Sequence, residues 1–294
     1  SGAEPTTPTM TPRSCPDEPG GMVTIPAGHY RIGSDRFYPE EAPLREVQIA
    51  HFRIALAPVT NAEFATFVAS TGYVTVAEQP PDPRAYPDLT AEQRIPASAV
   101  FQPPPPSVDR SRPQHWWALV PGADWRHPQG PGSTLDGLEA HPVVHITWAD
   151  AQAYCVWAGL RLPTAQEWEV AARGGLVDAD YAWGQELNPQ GRWMANTWQG
   201  PFPWSNEQRD GWFGTSPVGA FPPNGYGLLD VCGNVWEWTS TPWPVDPGEQ
   251  ERRIVKGGSF LCADNYCLRY RPSALIAQTL DTATCHMGFR CASD

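Results

Sequence analysis

Proline and glycine restrict what this chain can fold into more than any other residues. The 294 residues include 34 Pro and 26 Gly, and 18% are charged. Because proline removes a backbone donor and glycine disfavours regular structure, these residues argue against a helical bundle and indicate short elements joined by long loops. The 14 Trp and 9 Tyr supply large apolar surfaces for a core. We therefore expect one α+β domain at residues 21–294, after a flexible tail at residues 1–20 rich in Pro, Thr and Ser.

The charge of the chain argues against two classes of partner. A net charge of −12 disfavours binding to nucleic acid and to anionic membrane surfaces. No apolar run reaches the length of about 18 residues that a membrane-spanning helix needs. We therefore expect no nucleic-acid partner and no membrane partner.

Three polar residues mark the starts of predicted helices. Thr60 and Thr164 each precede a Glu by three positions, which is the capping-box pattern, and Thr147 can cap a helix that begins near Asp150. The first helix should end at Gly72, and the third should run through Ala172.

Two other segments have weaker patterns. Residues 141–148 read as a strand, on which His141 and His145 would share a face, and a structural role is favoured over metal ligation because no acidic residue completes a site. Residues 79–131 read as irregular, and a stretch of that length is usually functional or disordered.

Two cysteines five positions apart, Cys262 and Cys267, carry the strongest chemical signal. A strand would point them to opposite faces, and a helix would rotate them about 140° apart, so the segment must fold back, with Asp264 and Asn265 as turn formers. The two thiols can then form a short-loop disulfide or bind one soft metal ion. Structural zinc needs four ligands, whereas Cu(I) accepts two sulfurs with open positions.

Two segments rich in oxygen ligands are candidate calcium sites, although residue chemistry alone favours a solvated turn for each of them. The residues of the first calcium set are Asn196, Thr197, Asp210 and Trp212, and those of the second are Asp230, Gly233, Val235 and Glu237.

Two arginines follow the cysteine pair. Arg269 and Arg271 could steer an anionic group, but pairing with acidic residues on the exposed surface is the default expectation for them.

Several motifs resemble those of the formylglycine-generating enzymes, also called sulfatase-modifying factors. The resemblance extends from about Gly20 to the last residue, and its most specific parts are the intact Trp-Gln-Gly loop and the Cys-x₄-Cys-x-Arg-Tyr-Arg segment. The motifs are His141-Pro-Val-Val-His-Ile-Thr-Trp148, Gly159-Leu-Arg-Leu-Pro-Thr-Ala-Gln-Glu-Trp168, Ala195-Asn-Thr-Trp-Gln-Gly200, Asn224-Gly-Tyr-Gly-Leu-Leu-Asp230, Gly233-Asn-Val-Trp-Glu-Trp238, Lys256-Gly-Gly-Ser-Phe-Leu-Cys262, Tyr266-Cys-Leu-Arg-Tyr-Arg271 and Gly288-Phe-Arg-Cys291.

The resemblance implies a fold and an activity. The fold is a compact α+β domain of low secondary-structure content, related to C-type lectins, and the default state is a monomer. The activity is the oxidation of a cysteine within Cys-x-Pro-x-Arg of an unfolded sulfatase polypeptide to Cα-formylglycine, with O₂ and Cu(I). Cys262 and Cys267 would be the copper ligands, and both oxygen-rich sets would bind structural Ca²⁺. The remaining residues implied to line the active site are Ser259, Trp236, Tyr266 and Arg269.

The resemblance also implies a structural disulfide between Cys155 and Cys291, and it leaves Cys15, Cys232 and Cys285 unassigned. The chain departs from many family members at Ala263, Leu275 and His286. Two alternatives therefore stay open: a copper oxidase of the same fold that acts on a different thiol, and a non-catalytic regulatory paralogue. The implied disulfide and the polar tail favour an extracytoplasmic location, while a cytoplasmic one also stays open.

Overall fold

Short strands supply most of the regular structure. The computed structural model describes residues 21–294, so the predicted tail at residues 1–20 lies outside the described residues. The strands are β1 (Met22–Ile25), β2 (Gly28–Ile32), β3 (Arg45–Ile49), β4 (Phe52–Ala55), β5 (Ala97–Phe101), β6 (Trp117–Pro121), β7 (Trp236–Trp243), β8 (Arg252–Lys256), β9 (Leu275–Thr279), β10 (Met287–Gly288) and β11 (Ala292–Ser293).

Three α-helices begin where the capping residues predicted. The side chains of Thr60, Thr147 and Thr164 each accept a hydrogen bond from the backbone amide three positions later, and Gly72 ends the first helix in the left-handed conformation. The helices are α1 (Asn61–Thr71), α2 (Trp148–Trp157) and α3 (Ala165–Ala172). None of the helices described in residues 21–294 is both long and apolar enough to cross a membrane.

The strands form four small sheets. Strands β1 and β11 both pair antiparallel with β4, so the two ends of the described chain meet at one sheet. The largest sheet has the order β10-β7-β8-β9, in which only β10 and β7 are parallel. Strands β2 and β3 pair with each other, as do β5 and β6. This mixture of helices and mostly antiparallel strands confirms the predicted α+β class.

Two segments differ from their predictions. Residues 141–148 are not a strand, because His145 has a φ of 60° and the amides of Val143 and His145 bond to two separate chain segments, at Val59 and Thr284. Residues 79–131 are not irregular throughout, since β5 and β6 form an antiparallel pair within them. The predicted structural role of His145 agrees with its burial between Ser98 and the Pro128 carbonyl.

Two clusters of buried side chains lie side by side where β8 ends. The larger cluster includes Cys262 together with Trp236 and Trp238 of β7. The smaller cluster includes the neighbours of that cysteine, Leu261 and Ala263. The segment that carries the first cysteine therefore lies at the junction of the two clusters.

Candidate active site

The two cysteines meet because the chain between them turns back. The amides of Tyr266 and Cys267 both donate to the carbonyl of Ala263, at 3.2 and 2.8 Å, and the turn lies at residues 264–266, as predicted. The sulfurs of Cys262 and Cys267 are 2.8 Å apart, whereas a covalent S–S bond measures about 2.05 Å. The two sulfur atoms are therefore in direct contact, and no disulfide is formed between them in the structure. We call residues 259–267 the cysteine turn.

Glycine at position 258 allows the chain before the cysteine turn to lie against the chain after it. Gly258 has a φ of +68°, and a Cβ atom there would lie 2.9 Å from backbone atoms of Arg269 and Tyr270. A side chain would push these two backbone segments apart. Glycine is therefore required at position 258 for steric reasons.

The two sulfurs have different surroundings. Cys262 is 2% exposed, and burial raises the pKa of its thiol well above the ordinary value. The pKa of Cys267 is lowered to about 7, first by the hydrogen bond with Cys262 and further by the positive charge of Arg269. At neutral pH a substantial fraction of Cys267 is therefore thiolate, the form that binds soft metals.

The other residues predicted to line the site surround the cysteine turn at different depths. Ser259 is fully buried, and its hydroxyl accepts a hydrogen bond from the Leu261 amide at 3.1 Å. Trp236 is buried in the same cluster as Cys262. Tyr266 is 42% exposed, and its ring stacks on Phe202 with centroids 4.5 Å apart. Of these three residues, Tyr266 is therefore the one that an approaching molecule can contact.

The two arginines after the cysteine turn have different roles. Arg269 faces Cys267 and donates to Glu40 at 3.2 Å. The expectation of exposed pairing is wrong for Arg271, which is fully buried and donates two hydrogen bonds of 2.7 Å to the carboxylate of Glu41. Ser273 donates to the same carboxylate at 2.6 Å. A buried ion pair therefore anchors the chain after Cys267.

The first set of predicted calcium ligands is assembled around Asp210. Its carboxylate accepts hydrogen bonds of 3.0 Å from the amides of Thr197 and Trp212. Asn196 lies next to this loop, and its amide nitrogen donates to Gly214 and Ser216. Its carbonyl oxygen Oδ1 is buried and accepts no hydrogen bond from any of residues 21–294. A buried side-chain oxygen that accepts no hydrogen bond is free to coordinate a cation.

The second set lies beside the first, because Asn196 and Gly233 form a parallel β-bridge. One carboxylate oxygen of Asp230 accepts from the Gly219 amide, while the other, Oδ1, is buried and accepts no hydrogen bond within the described part of the chain. Burial raises the pKa of Asp230 to about 6, so protein donors do not fully compensate its charge. Glu237 also serves another partner, since its carboxylate accepts from Arg290 at 2.6 and 3.0 Å.

No group of three or more His, Cys, Asp and Glu side chains within residues 21–294 is placed to hold a metal ion. A calcium ion at either set would therefore depend on amide and backbone oxygens in addition to one or two carboxylates. A metal ion at the cysteine pair would have two sulfur ligands and open positions.

The sulfurs of Cys155 and Cys291 are also close together, 3.4 Å apart and buried. Cys155 lies on α2 and Cys291 lies just before β11, so a bond between them would tie the end of the chain to a helix. The disulfide stays a prediction. In the chain-entropy model, closing so long a loop would stabilise the fold by about 4–5 kcal/mol.

Sequence reasoning missed a group of residues, distant in the chain, that contacts the segment directly after the cysteine turn. Tyr38, Glu40 and Glu41 lie in and beside a 3₁₀ turn at Pro39–Glu41 and contact Leu268, Arg269 and Arg271. The two segments are about 230 residues apart, so no local pattern relates them. Only a pairing of acidic and basic residues across the whole chain could have indicated the contact.

Comparisons with known proteins give consistent results. Residues 7–294 match the family described as the sulfatase-modifying factor enzyme 1-like domain. The chain is 51% identical over 292 residues to the formylglycine-generating enzyme of Mycobacterium tuberculosis, covering 93% of this chain and 97% of that protein. It is also 42% identical over 279 residues to the mouse (Mus musculus) protein named inactive C-alpha-formylglycine-generating enzyme 2, covering 92% and 85% of the two chains.

Solved structures resemble this chain at lower identity. The structure of PvdO from Pseudomonas aeruginosa gives a TM-score of 0.61 at 22% identity and covers 93% of this chain and 94% of that one. At that identity the likeness concerns the fold alone. Together with the family match, it confirms the compact fold of low secondary-structure content predicted from the motifs.

Proposed function

The chain belongs to the sulfatase-modifying factor enzyme 1-like family, and on that premise we propose that it is a copper-dependent formylglycine-generating enzyme. It is an oxidoreductase that converts a substrate cysteine to Cα-formylglycine, and the substrate is an unfolded sulfatase polypeptide with the sequence Cys-x-Pro-x-Arg. The observation that carries the proposal is the pair of facing thiols of Cys262 and Cys267, 2.8 Å apart, one buried and one reaching the surface.

The donor set fits Cu(I). Two sulfur ligands satisfy a soft monovalent ion that accepts low coordination, and the lowered pKa of Cys267 provides a thiolate at neutral pH. Cys262 would lose its proton when the metal binds, because metal binding and thiol deprotonation are linked. When bound, the copper ion would supply the one-electron chemistry with O₂ that no protein side chain provides.

The residues around the pair would position the substrate and control charge. Arg269 faces the Cys267 sulfur, so its positive charge stabilises negative charge on sulfur. Ser259 shapes the start of the cysteine turn through the Leu261 amide. Trp236 and the apolar cluster around it exclude water from the side of Cys262. These contributions are orientation, charge stabilisation and water exclusion.

The exposed side of the site suits a peptide. Cys267 and Tyr266 both reach the surface, so an extended chain can present its cysteine to the pair while its neighbours contact the Tyr266 ring. The net charge of −12 attracts a substrate that contains arginine.

We also propose that two structural calcium ions bind to the protein and stabilise its loops. One would be held at Asn196, Thr197, Asp210 and Trp212, and the other at Asp230, Gly233, Val235 and Glu237. The unpartnered buried oxygens of Asn196 and Asp230 support these sites. The calcium ions would support these loops, one of which bonds to the Cys262 carbonyl through the Trp198 amide, and would take no part in the oxidation.

The proposal is tested by incubating the full chain with Cu(I), a reductant, O₂ and a Cys-x-Pro-x-Arg peptide. We expect the peptide to lose its thiol and to gain an aldehyde, seen by mass spectrometry and by trapping with a hydroxylamine reagent. Cys262→Ser and Cys267→Ser should each abolish both product formation and stoichiometric Cu(I) binding. An unchanged peptide, with copper bound to the wild type, would refute the proposal.

Cys232 supplies the matched control. Its thiol is buried, and it belongs to neither the cysteine turn nor the Cys155 and Cys291 pair. Cys232→Ala should keep Cu(I) binding and product formation near the wild-type level. Loss of activity in this control as well would show that the effects of the Cys262 and Cys267 substitutions are not specific to those two thiols.

A second candidate is an oxidase of the same fold that acts on a different thiol. The departures at Leu275 and Ala263 motivate it, but Ala263 is fully buried and offers no surface to a substrate. A library of cysteine peptides separates the two candidates, because turnover of other sequences without turnover of Cys-x-Pro-x-Arg would favour the second.

A further inference from the structure

A short segment far from the cysteine turn in sequence lies across the chain that follows it. We call residues 37–41 the strap. Its inner contacts are buried: the Glu41 carboxylate pairs with Arg271, both side chains are fully buried, and the Phe37 ring lies 3.6 Å from the Arg271 guanidinium carbon. Breaking such a pair leaves an uncompensated buried charge, so this contact anchors the strap to the fold.

The outer contacts of the strap lie closer to the cysteines. The Leu268 amide donates to the Tyr38 hydroxyl at 3.0 Å, and Leu268 directly follows Cys267. The Arg269 guanidinium carbon lies 3.9 Å from the centre of the Tyr38 ring, and its Nη2 donates to Glu40 at 3.2 Å. Tyr38 and Glu40 thus contact the two residues that follow Cys267.

The orientation of Arg269 depends on these contacts. Its guanidinium interacts with the Cys267 side chain on one side and contacts the Tyr38 ring and the Glu40 carboxylate on the other. The strap contacts therefore help to keep this side chain directed toward Cys267. Cys262, by contrast, is held from another direction, because its carbonyl accepts from the Trp198 amide at 2.9 Å. The two cysteines are fixed by different parts of the fold.

We propose that Tyr38 and Glu40 are positioning residues for the cysteine pair: through the Leu268 amide and the Arg269 side chain they fix the chain after Cys267 and hold its sulfur against that of Cys262. The inference deepens the proposed function, on which its meaning for catalysis rests. The effect on sulfur geometry is independent of that function. Two groups that are held together react as if at high local concentration, and loosening one of them lowers that concentration.

The test measures the pairing of the two sulfurs without metal and without substrate. In a glutathione redox buffer, the two thiols lose two protons and two electrons to glutathione disulfide, which becomes two molecules of glutathione. Mass mapping of the peptides that contain Cys262 and Cys267 gives the equilibrium constant for the disulfide. The variants are Tyr38→Phe, which removes the acceptor of the Leu268 amide and keeps the ring, and Glu40→Gln. A second readout is the Cu(I) association constant, from competition with a chelator.

Loss of the Leu268–Tyr38 hydrogen bond in Tyr38→Phe and loss of the Arg269–Glu40 charge pair in Glu40→Gln should each lower both constants about fivefold. Tyr30→Phe and Glu46→Gln are matched controls, because they make the same substitutions at a hydroxyl bonded to Pro26 and at an exposed pair with His29. The Cys155 and Cys291 pair should keep its redox equilibrium in all four proteins, which tests the fold in the same sample.

Wild-type constants in both Tyr38→Phe and Glu40→Gln would overturn the inference. Should loss of the tyrosine hydroxyl prevent folding, Glu40→Gln on the more exposed side of the strap decides alone. A wild type that binds no Cu(I) would contradict the proposed function, while the disulfide equilibrium would still test the strap.

Discussion

The two sulfurs of the cysteine pair are in contact, yet the protein holds them differently. Cys262 is buried between two apolar clusters, and its backbone is tied to the Trp198 amide. Cys267 reaches the surface and lies beside Arg269. An incoming thiol would therefore meet Cys267 first, and the rigid partner behind it would define the geometry of the encounter.

At the residue scale, His145 makes stability depend on pH. It is fully buried, its Nε2–H donates to the Pro128 carbonyl at 2.8 Å, and the Ser98 hydroxyl bonds to Nδ1 at 2.6 Å. Burial lowers the pKa of His145 to about 4, from about 6.5 in an unfolded chain. Between these values only the unfolded state binds the proton, so stability falls as the pH falls from about 6.5 to about 4, by about 3 kcal/mol.

Denaturant unfolding of His145→Asn at several pH values checks this. Asparagine tolerates the positive φ of this position, so the variant should fold with lower stability at pH 7 and show a flatter pH dependence than wild type below pH about 6.5. His29→Asn is the control, because His29 is exposed beside Glu46, and it should keep the wild-type slope. Equal slopes in His145→Asn and wild type would contradict the assignment.

At the element scale, the end of β8 joins the cysteine turn through Gly258, where the backbone leaves no room for a side chain. In Gly258→Ala, the new Cβ would meet the backbone of Arg269 and Tyr270 at 2.9 Å in a left-handed conformation. We expect a loss of about 3 kcal/mol in the free energy of unfolding. We also expect weaker Cu(I) binding, because the displaced backbone leads directly to Cys267. Unfolding curves and chelator competition measure the two effects.

Gly72→Ala separates backbone strain from steric contact. Gly72 has a φ of +69°, nearly equal to that of Gly258, but a Cβ atom there would meet nothing within 4 Å. This variant should cost about 1 kcal/mol and leave Cu(I) binding unchanged. If both variants behave alike, strain alone explains the effect at Gly258.

Local signals predicted several of these elements. The capping threonines gave the starts of α1, α2 and α3 because a cap and its helix are adjacent in sequence. The five-residue cysteine spacing gave the turn for the same reason. The strand predicted at residues 141–148 was wrong because the φ of His145 interrupts it. The backbone amide of His145 bonds to the Thr284 carbonyl, and its ring bonds to Ser98 and Pro128, all of them partners that sequence patterns do not relate to it.

At the scale of the whole molecule, sequence analysis did not predict the parts of the site that are formed by segments distant from each other in the chain. Arg271 was expected at the surface, yet Glu41, 230 residues away, neutralises it in the interior. The strap reaches the chain that follows the cysteine turn, and residues 33–44, which include the strap, connect the paired strands β2 and β3. Such contacts depend on the packing of the whole chain, so residue spacing could predict the thiol pair but not the residues that hold it.

The two calcium sets also tie distant loops together, and their ions should stabilise the whole fold. An ion that binds only the folded state stabilises it by about 2.7 kcal/mol when its free concentration is 100 times Kd. Removal of Ca²⁺ with a chelator should therefore lower Tm by about 5 °C or more, and added Ca²⁺ should restore it. In Asp230→Asn the buried charge at Oδ1 is removed while the acceptor for the Gly219 amide can remain.

Differential scanning calorimetry with and without Ca²⁺ measures the shift for each protein. Asp230→Asn should lose part of the calcium-dependent stabilisation, because an amide oxygen is a weaker ligand than a carboxylate, while the first set at Asn196 keeps its own ion. Asp178→Asn is the matched control, because it makes the same substitution at an exposed residue paired with Arg31, outside both sets. It should respond to Ca²⁺ as wild type does. Identical responses in all three proteins would exclude Asp230 as a ligand, and a wild type insensitive to millimolar Ca²⁺ would exclude both sites.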